Sequence, residues 1–149
     1  MQIILLKPGD EPIHIEAIRL LNNGAQISHE RSVALLSEPT YIYILALTDS
    51  GEIMGRIYGY VLHRFEQTDL LLYEVDVLED HQRKGVGKAM LEFVNDLSNE
   101  RGYCEMWVLT EGENMAARSL YEASGGVEEN SPTIMYVFYP QNNRTKHNL

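Results

Sequence analysis

Apolar and polar residues recur along this chain with two periods, and the switches between them mark its elements. Gln2–Leu6 is apolar at nearly every position and stops at Lys7-Pro8-Gly9, the pattern of a first strand. Glu11–Leu21 places Ile15, Ile18 and Leu20 or Leu21 at helical spacing, and Asn22-Asn23-Gly24 ends it. Ser28 opens a second, short helix closed by Pro39, with Arg31 where a full capping box would have Glu. Tyr41–Thr48 and Glu52–Phe65 flank Asp49-Ser50-Gly51, a hairpin signal. Leu70–Leu78 is a β run, and Val86–Asn99 carries Leu91, Val94 and Leu97 on one helical face. Cys104–Leu109 reads as a strand, Asn114–Ser124 as a helix and Thr133–Tyr139 as a final, aromatic strand. Hairpins early and a strand–helix–strand unit in the middle predict an α/β fold, a mixed sheet with helices on both faces.

Composition narrows this picture. A chain of 149 residues that is 44% hydrophobic can bury one substantial core, so residues 1–140 are expected to form a single domain, followed by a polar tail over 141–149. A net charge of −10 argues against a nucleic-acid partner. There is no apolar run long enough to cross a membrane. Met1–Leu6 is too short for a signal peptide, and the lone Cys104 has no cysteine to pair with, so a cytoplasmic setting is expected. Cys104 is expected to be a packed thiol and Trp107 a core residue, both within an apolar strand. The five histidines are scattered without the spacing of a zinc helix, and no metal site is expected.

Candidate chemistry concentrates in Leu70–Leu91. After the β run, Gln82-Arg83-Lys84-Gly85-Val86-Gly87 opens a helix, and Lys88 follows. Glycines let a backbone approach a ligand closely, and free N–H groups at a helix start attract an anion. The loop is not a Walker loop: Gln82 stands where its first glycine belongs and Ala89 where its hydroxyl belongs. Nor is it a dinucleotide fingerprint, whose third glycine would be Met90. In the preceding strand a strict alternation puts Leu72, Glu74 and Asp76 on one face and Tyr73, Val75 and Val77 on the other. Two carboxylates at i and i+2 in an apolar run cost several kcal/mol each if buried alone. They are expected to face a wet cleft that takes a cation, or else to sit on a solvated face or pair with nearby lysines.

The loop resembles Q/R-x-x-G-x-G/A, the pyrophosphate loop of the GNAT acetyltransferases, and Asn114–Gly125 resembles that family's N-x-x-A-x-x-L-Y-x-x-x-G motif. The two together, in this order, extend the resemblance over nearly the whole chain. It implies a GNAT fold, with a splayed central sheet of six to seven strands flanked by helices, and acetyl-CoA as co-substrate. On that resemblance Gln82, Arg83, Lys84, Gly85, Val86, Gly87 and Lys88 hold the diphosphate, Val75 and Val77 pair with the pantetheine arm, and Asn114 contacts pantetheine or caps its helix. Tyr121 matches the general acid that protonates the departing thiolate. Amide formation also needs a neutral amine, which makes Glu74 the candidate general base, directly or through a water. Asp76 would hold the acceptor's charge, and the two roles could be exchanged.

Phe65-Glu66-Gln67, Leu72–Val77, His81–Gly85 and Glu128-Glu129 further resemble the class I aminoglycoside 3-N-acetyltransferases. That resemblance implies a small cationic amine as partner, the 3-amino group of an aminoglycoside, with Glu66, Asp76, Glu128 and Glu129 in the acceptor site. Asp76 departs from that subgroup, which has a small residue there, and Glu74 stands where it has Asp. Another polyamine, an amino sugar or a peptide amine is the alternative acceptor, and a non-catalytic coenzyme A binder is the alternative class. The aromatic strand Met135–Tyr139 could pair across a homodimer.

Overall fold

A computed structural model of the chain describes residues 1–129 and 135–138. Strand β1 (Gln2–Leu5) leads to helices α1 (Glu11–Leu21) and α2 (His29–Leu36), then to strands β2 (Tyr41–Leu47), β3 (Ile53–His63) and β4 (Thr68–Val77). A short 3₁₀ turn, Glu79–His81, precedes α3 (Val86–Arg101), β5 (Met106–Val108) and α4 (Met115–Ala123). The sheet order follows the chain, β1-β2-β3-β4-β5. The first three pairings are antiparallel, and β4–β5 is parallel because α3 crosses between them.

Helix and strand periods decide the two layers. Val86, Met90, Leu91, Val94 and Leu97 of α3 pack on Ile42, Ile44, Ile57, Leu70 and Leu72, with Leu120 and Tyr121 of α4 at the margin. On the other face Ala17 of α1 and Leu36 of α2 meet Tyr43, Leu45 and Leu47. Strand β2 is thus buried on both sides. Ser28 caps α2 by accepting from the Arg31 amide at 3.1 Å, as its position suggested.

One irregularity corrects the strict alternation expected for Leu70–Leu78. Tyr58 pairs with Glu74, but Gly59 pairs with Leu72, so Tyr73 is an extra residue in a β-bulge. A Cβ on Gly59 would lie 2.1 Å from the Leu71 carbonyl oxygen, so only glycine permits this approach. The bulge reverses which side chains face which layer. Leu72 joins Val75 and Val77 on the α3 side, while Tyr73, Glu74 and Asp76 share the α1–α2 side.

Two further expectations fail at the sheet's outer strand. Cys104 is exposed, because it precedes β5 and uses its amide to reach the Thr68 carbonyl. Trp107 is 40% exposed, since it points away from the face where Met106 and Val108 meet the α3 core. The sheet has five strands among the described residues, rather than six or seven. Of the expected last strand, Thr133, Ile134 and Tyr139 lie outside the described residues, and Met135–Phe138 have no regular structure. The tail 141–149 also lies outside them.

Candidate active site

The expected anion loop joins β4 to α3. Arg83 (φ 57°) and Gly85 (φ 80°) both take left-handed conformations, the first unusual for a residue with a side chain. Gly85 is the N-cap of α3, and no side chain caps this helix start. First-turn amides are thereby left for an external acceptor, the arrangement that suits a bound phosphate. The Gln82 amide group donates to the Val77 carbonyl at 2.9 Å, and Lys84 Nζ donates to the Asp80 carbonyl at 2.7 Å. Arg83, Lys84 and Lys88 are exposed around the loop. Gly87 has a packing duty: a Cβ there would lie 2.9 Å from Leu120 Cδ2, so its absence lets α4 approach α3. Asn114 accepts from the Ala117 amide at 3.1 Å and caps α4.

Beside this loop the sheet opens. The β4–β5 ladder stops at Leu72 and Val108, whereas β4 continues to Val77, so among the described residues its Tyr73–Val77 edge has no β5 partner. Val75 and Val77 lie on that edge. Tyr121 of α4 packs against the same region, half-buried. Burial raises the pKa of its phenol above the usual value, and the nearby Asp76 carboxylate adds to the rise.

Glu74 and Asp76 meet a cation supplied by the fold. Arg56 of β3, only 2% exposed, donates through Nη2 to Glu74 Oε2, and through Nε and Nη2 to Asp76 Oδ2 at 3.0 and 2.9 Å. Its Nη1 donates to Asn22 Oδ1 at the end of α1, at 2.5 Å. The guanidinium also sits 5.2 Å above the Tyr58 ring, a cation–π distance. A cavity of about 280 Å³ opens here between the sheet and the α1–α2 segment, lined in part by Asn22, Tyr41, Tyr43, Arg56, Tyr58 and Tyr60.

Four tyrosines, Tyr41, Tyr43, Tyr58 and Tyr60, line the cavity, and Tyr73 extends their set of rings beyond it. Tyr43 and Tyr58 stack with centroids 5.9 Å apart, Tyr41 meets Tyr60 at 5.6 Å, and the bulge residue Tyr73 meets Tyr58 at 5.4 Å. Behind them His14 of α1 is fully buried, Nδ1 at 2.8 Å from Ser32 Oγ and Nε2 at 3.2 Å from the Tyr41 hydroxyl. Burial first, then the Arg56 charge, push its pKa down to about 4. The buried Tyr43 hydroxyl has no partner in hydrogen-bond geometry among the described residues, although Arg56 lies close enough to oppose the rise that burial causes in its pKa.

The structure therefore places Val75, Val77 and Tyr121 in the α3 layer next to the 82–88 loop, and Glu74 and Asp76 on the opposite face of the same β4 segment. It leaves the other acidic candidates apart. Glu66 is exposed in the β3–β4 turn, Glu128 pairs with Arg118 at 2.6 Å, and Glu129 is exposed. Asp69 is buried and held by Arg64 and Gln67 at 3.0 and 2.8 Å. Sequence reasoning missed Arg56, Asn22 and the tyrosine wall. The signal was there in part: Tyr41-Ile42-Tyr43 and Tyr58-Gly59-Tyr60 place same-face tyrosines on adjacent strands, and Arg56 interrupts an apolar run. Among the described residues no group of three or more His, Cys, Asp or Glu is placed to hold a metal, and no helix is long and apolar enough to cross a membrane.

An uncapped helix start thus lies beside an opened strand edge, in a mixed sheet flanked by helices on both faces. Residues 13–126 match the acetyltransferase (GNAT) family, and the chain belongs to it; the family uses acetyl-CoA as co-substrate. The chain is 31% identical over 86 residues to the ribosomal protein bS18-alanine N-acetyltransferase of Escherichia coli K12, a stretch covering 58% of this chain and 56% of that relative. The chain thus spans a little over half the length of the curated relatives it matches. Among solved structures, an aminoglycoside acetyltransferase, meta-AAC0020 from an uncultured soil metagenomic sample, in complex with trehalose, superposes with a TM-score of 0.82 at 25% identity. That likeness covers 93% of this chain and 96% of the other. The ribosomal-protein-alanine N-acetyltransferase of Brucella melitensis biovar Abortus 2308 shares the fold at a TM-score of 0.74 and 19% identity, covering 93% and 100%.

Proposed function

We propose that this protein transfers acetyl from acetyl-CoA to an amine of a small cationic molecule, with the 3-amino group of an aminoglycoside as the specific acceptor. The observation that supports the reading is the free Tyr73–Val77 edge of β4 beside the uncapped start of α3, with Tyr121 on the α3 side of that segment and Glu74 and Asp76 on its other face. The 82–88 amides and lysines would take the diphosphate, and Val75 and Val77 the pantetheine arm. Glu74 accepts a proton from the acceptor's ammonium, directly or through a water, and the freed nitrogen attacks the acetyl carbonyl carbon. The Val77 amide lies where it could donate to the developing oxyanion. As the carbon–sulfur bond breaks, Tyr121 gives its proton to the thiolate. Asp76, held by Arg56, keeps negative charge beside the incoming cation. We place the protein in the cytoplasm.

Similarity to the soil acetyltransferase supports an amino-sugar acceptor. The 31% identity to the alanine N-acetyltransferases supports a second reading, the α-amine of a peptide. A thiol-release assay with acetyl-CoA and gentamicin, kanamycin, spermidine or an amino-terminal alanine peptide separates them. Acetylation of the antibiotics at the 3-amino position, read by NMR of the product, is the expected result. Release with the peptide alone would replace the aminoglycoside reading, and release with none would end the transferase reading.

A further inference from the structure

We propose that Arg56 is a specificity-determining residue: it fills one cation position of the acceptor pocket, so the pocket itself takes a single ammonium carried on a ring. This rests on the transferase reading above. The sequence presents Glu74 and Asp76 as two unpaired acids, a setting for a polyamine. In the fold Arg56 already satisfies part of that demand through both carboxylates. It does so while nearly fully buried and tied to Asn22, so it is not a mobile surface charge that an incoming polycation would displace at little cost. Two carboxylates and the buried Arg56 leave one negative charge, and Arg31, which lines the same cavity, opposes any ammonium beyond the first.

The remaining wall indicates what carries that charge. Tyr41, Tyr43, Tyr58, Tyr60 and Tyr73 form a connected set of rings, with centroid separations between 5.4 and 6.4 Å. Such a surface favours the face of a pyranose or an aromatic ring over a flexible alkyl chain. The cavity of about 280 Å³ is of a size for one ring rather than an extended chain. On a multi-ring acceptor, only the ring bearing the reactive amine would enter, and its other ammoniums would stay outside with the dispersed surface acids.

The test compares glucosamine and tyramine, each one ring with one ammonium, against spermidine, a chain with three. Calorimetric binding and thiol release are both measured on the full chain with acetyl-CoA. The native protein should bind the ring amines more tightly than spermidine. Arg56→Met should reverse the order, lowering the KM and dissociation constant for spermidine by about tenfold while those for the ring amines rise or hold. Arg56→Lys should keep the native order. Because Arg56→Met leaves two carboxylates unpaired and could unfold the protein, Asn22→Asp supplies a second route. It keeps Arg56 and adds an acid to it, and should improve spermidine binding several-fold. A native preference for spermidine overturns the proposal, as does a set of variants that weaken all amines alike. Binding in the expected order without thiol release would strike the transferase reading and leave this one standing.

Discussion

Under α3 and α4 the sheet meets its helices chiefly through hydrocarbon, Ile42, Ile44, Ile57, Leu70 and Leu72 against Met90, Leu91 and Val94. Under α1 and α2 the same strands present Tyr43, Arg56, Tyr58, Glu74 and Asp76, backed by the buried His14. Both faces are covered, but by different physics. Burial of apolar surface is non-directional and roughly additive, so the α3 face needs only the right residues at the right period. Each buried polar group on the other face needs a specific partner at a specific distance, since an unmet one costs more than a met one returns. Both sides bury apolar residues, but the network of paired polar groups is on the α1–α2 side. The bulge at Tyr73 separates the two within a single strand, by turning Glu74 and Asp76 to the polar face and keeping Val75 and Val77 on the apolar one.

Substitutions on each face can break or sharpen this contrast. The largest effect is expected from Glu74→Gln, on the polar face: kcat should fall at least a hundredfold, with acetyl-CoA affinity within about twofold, in steady-state and binding measurements. A comparable loss of acetyl-CoA affinity would assign Glu74 to the fold. On the apolar face, Met90→Ala should cost about 2–5 kcal/mol in denaturant unfolding while the folded enzyme keeps its ranking of acceptors. A changed ranking would show that the faces are coupled.

On the polar face, His14 adds its own acid response. His14 titrates near 4 in the folded protein and near its ordinary value when unfolded, so between these pH values the unfolded chain binds the proton first. Stability attributable to His14 is therefore complete above about pH 6.5 and declines as pH falls towards 4, by roughly 3 kcal/mol in all. His14→Gln should flatten that part of the profile, and an unchanged slope would deny the histidine this role. The smallest effect is expected at Asn114→Ala, which removes the cap of α4 and should cost about 1 kcal/mol. A larger loss in acetyl-CoA affinity than in stability would add a ligand contact to the cap.

Much of the α3 face was legible along the chain. Leu91, Val94 and Leu97 recur at a helical period, Gly85 and Gly87 mark the turn before them, and the loop pattern 82–87 depends on neighbours within one turn. Gly87 carries a lesson of its own: the loop pattern marks it, but its packing against Leu120, over thirty residues away, is shown by no local pattern. The aromatic wall was half visible in its two Tyr-x-Tyr pairs. The acidic cluster disperses in the fold: Glu66 is exposed in the β3–β4 turn and Glu128 pairs with Arg118, and neither lines the cavity.

What the sequence by itself determined are the properties that repeat within a few residues: the helices and strands, the glycine turn before α3, the two carboxylates in an apolar run and the caps of α2 and α4. Tertiary structure alone decided the orientation and pairing of those carboxylates. The extra residue Tyr73 is accommodated only because Gly59, on the neighbouring strand, allows the Leu71 carbonyl to come close, and the counter-ion comes from β3 with its own partner at the end of α1. Period is a property of one segment, whereas register and charge pairing are properties of two segments brought together by folding.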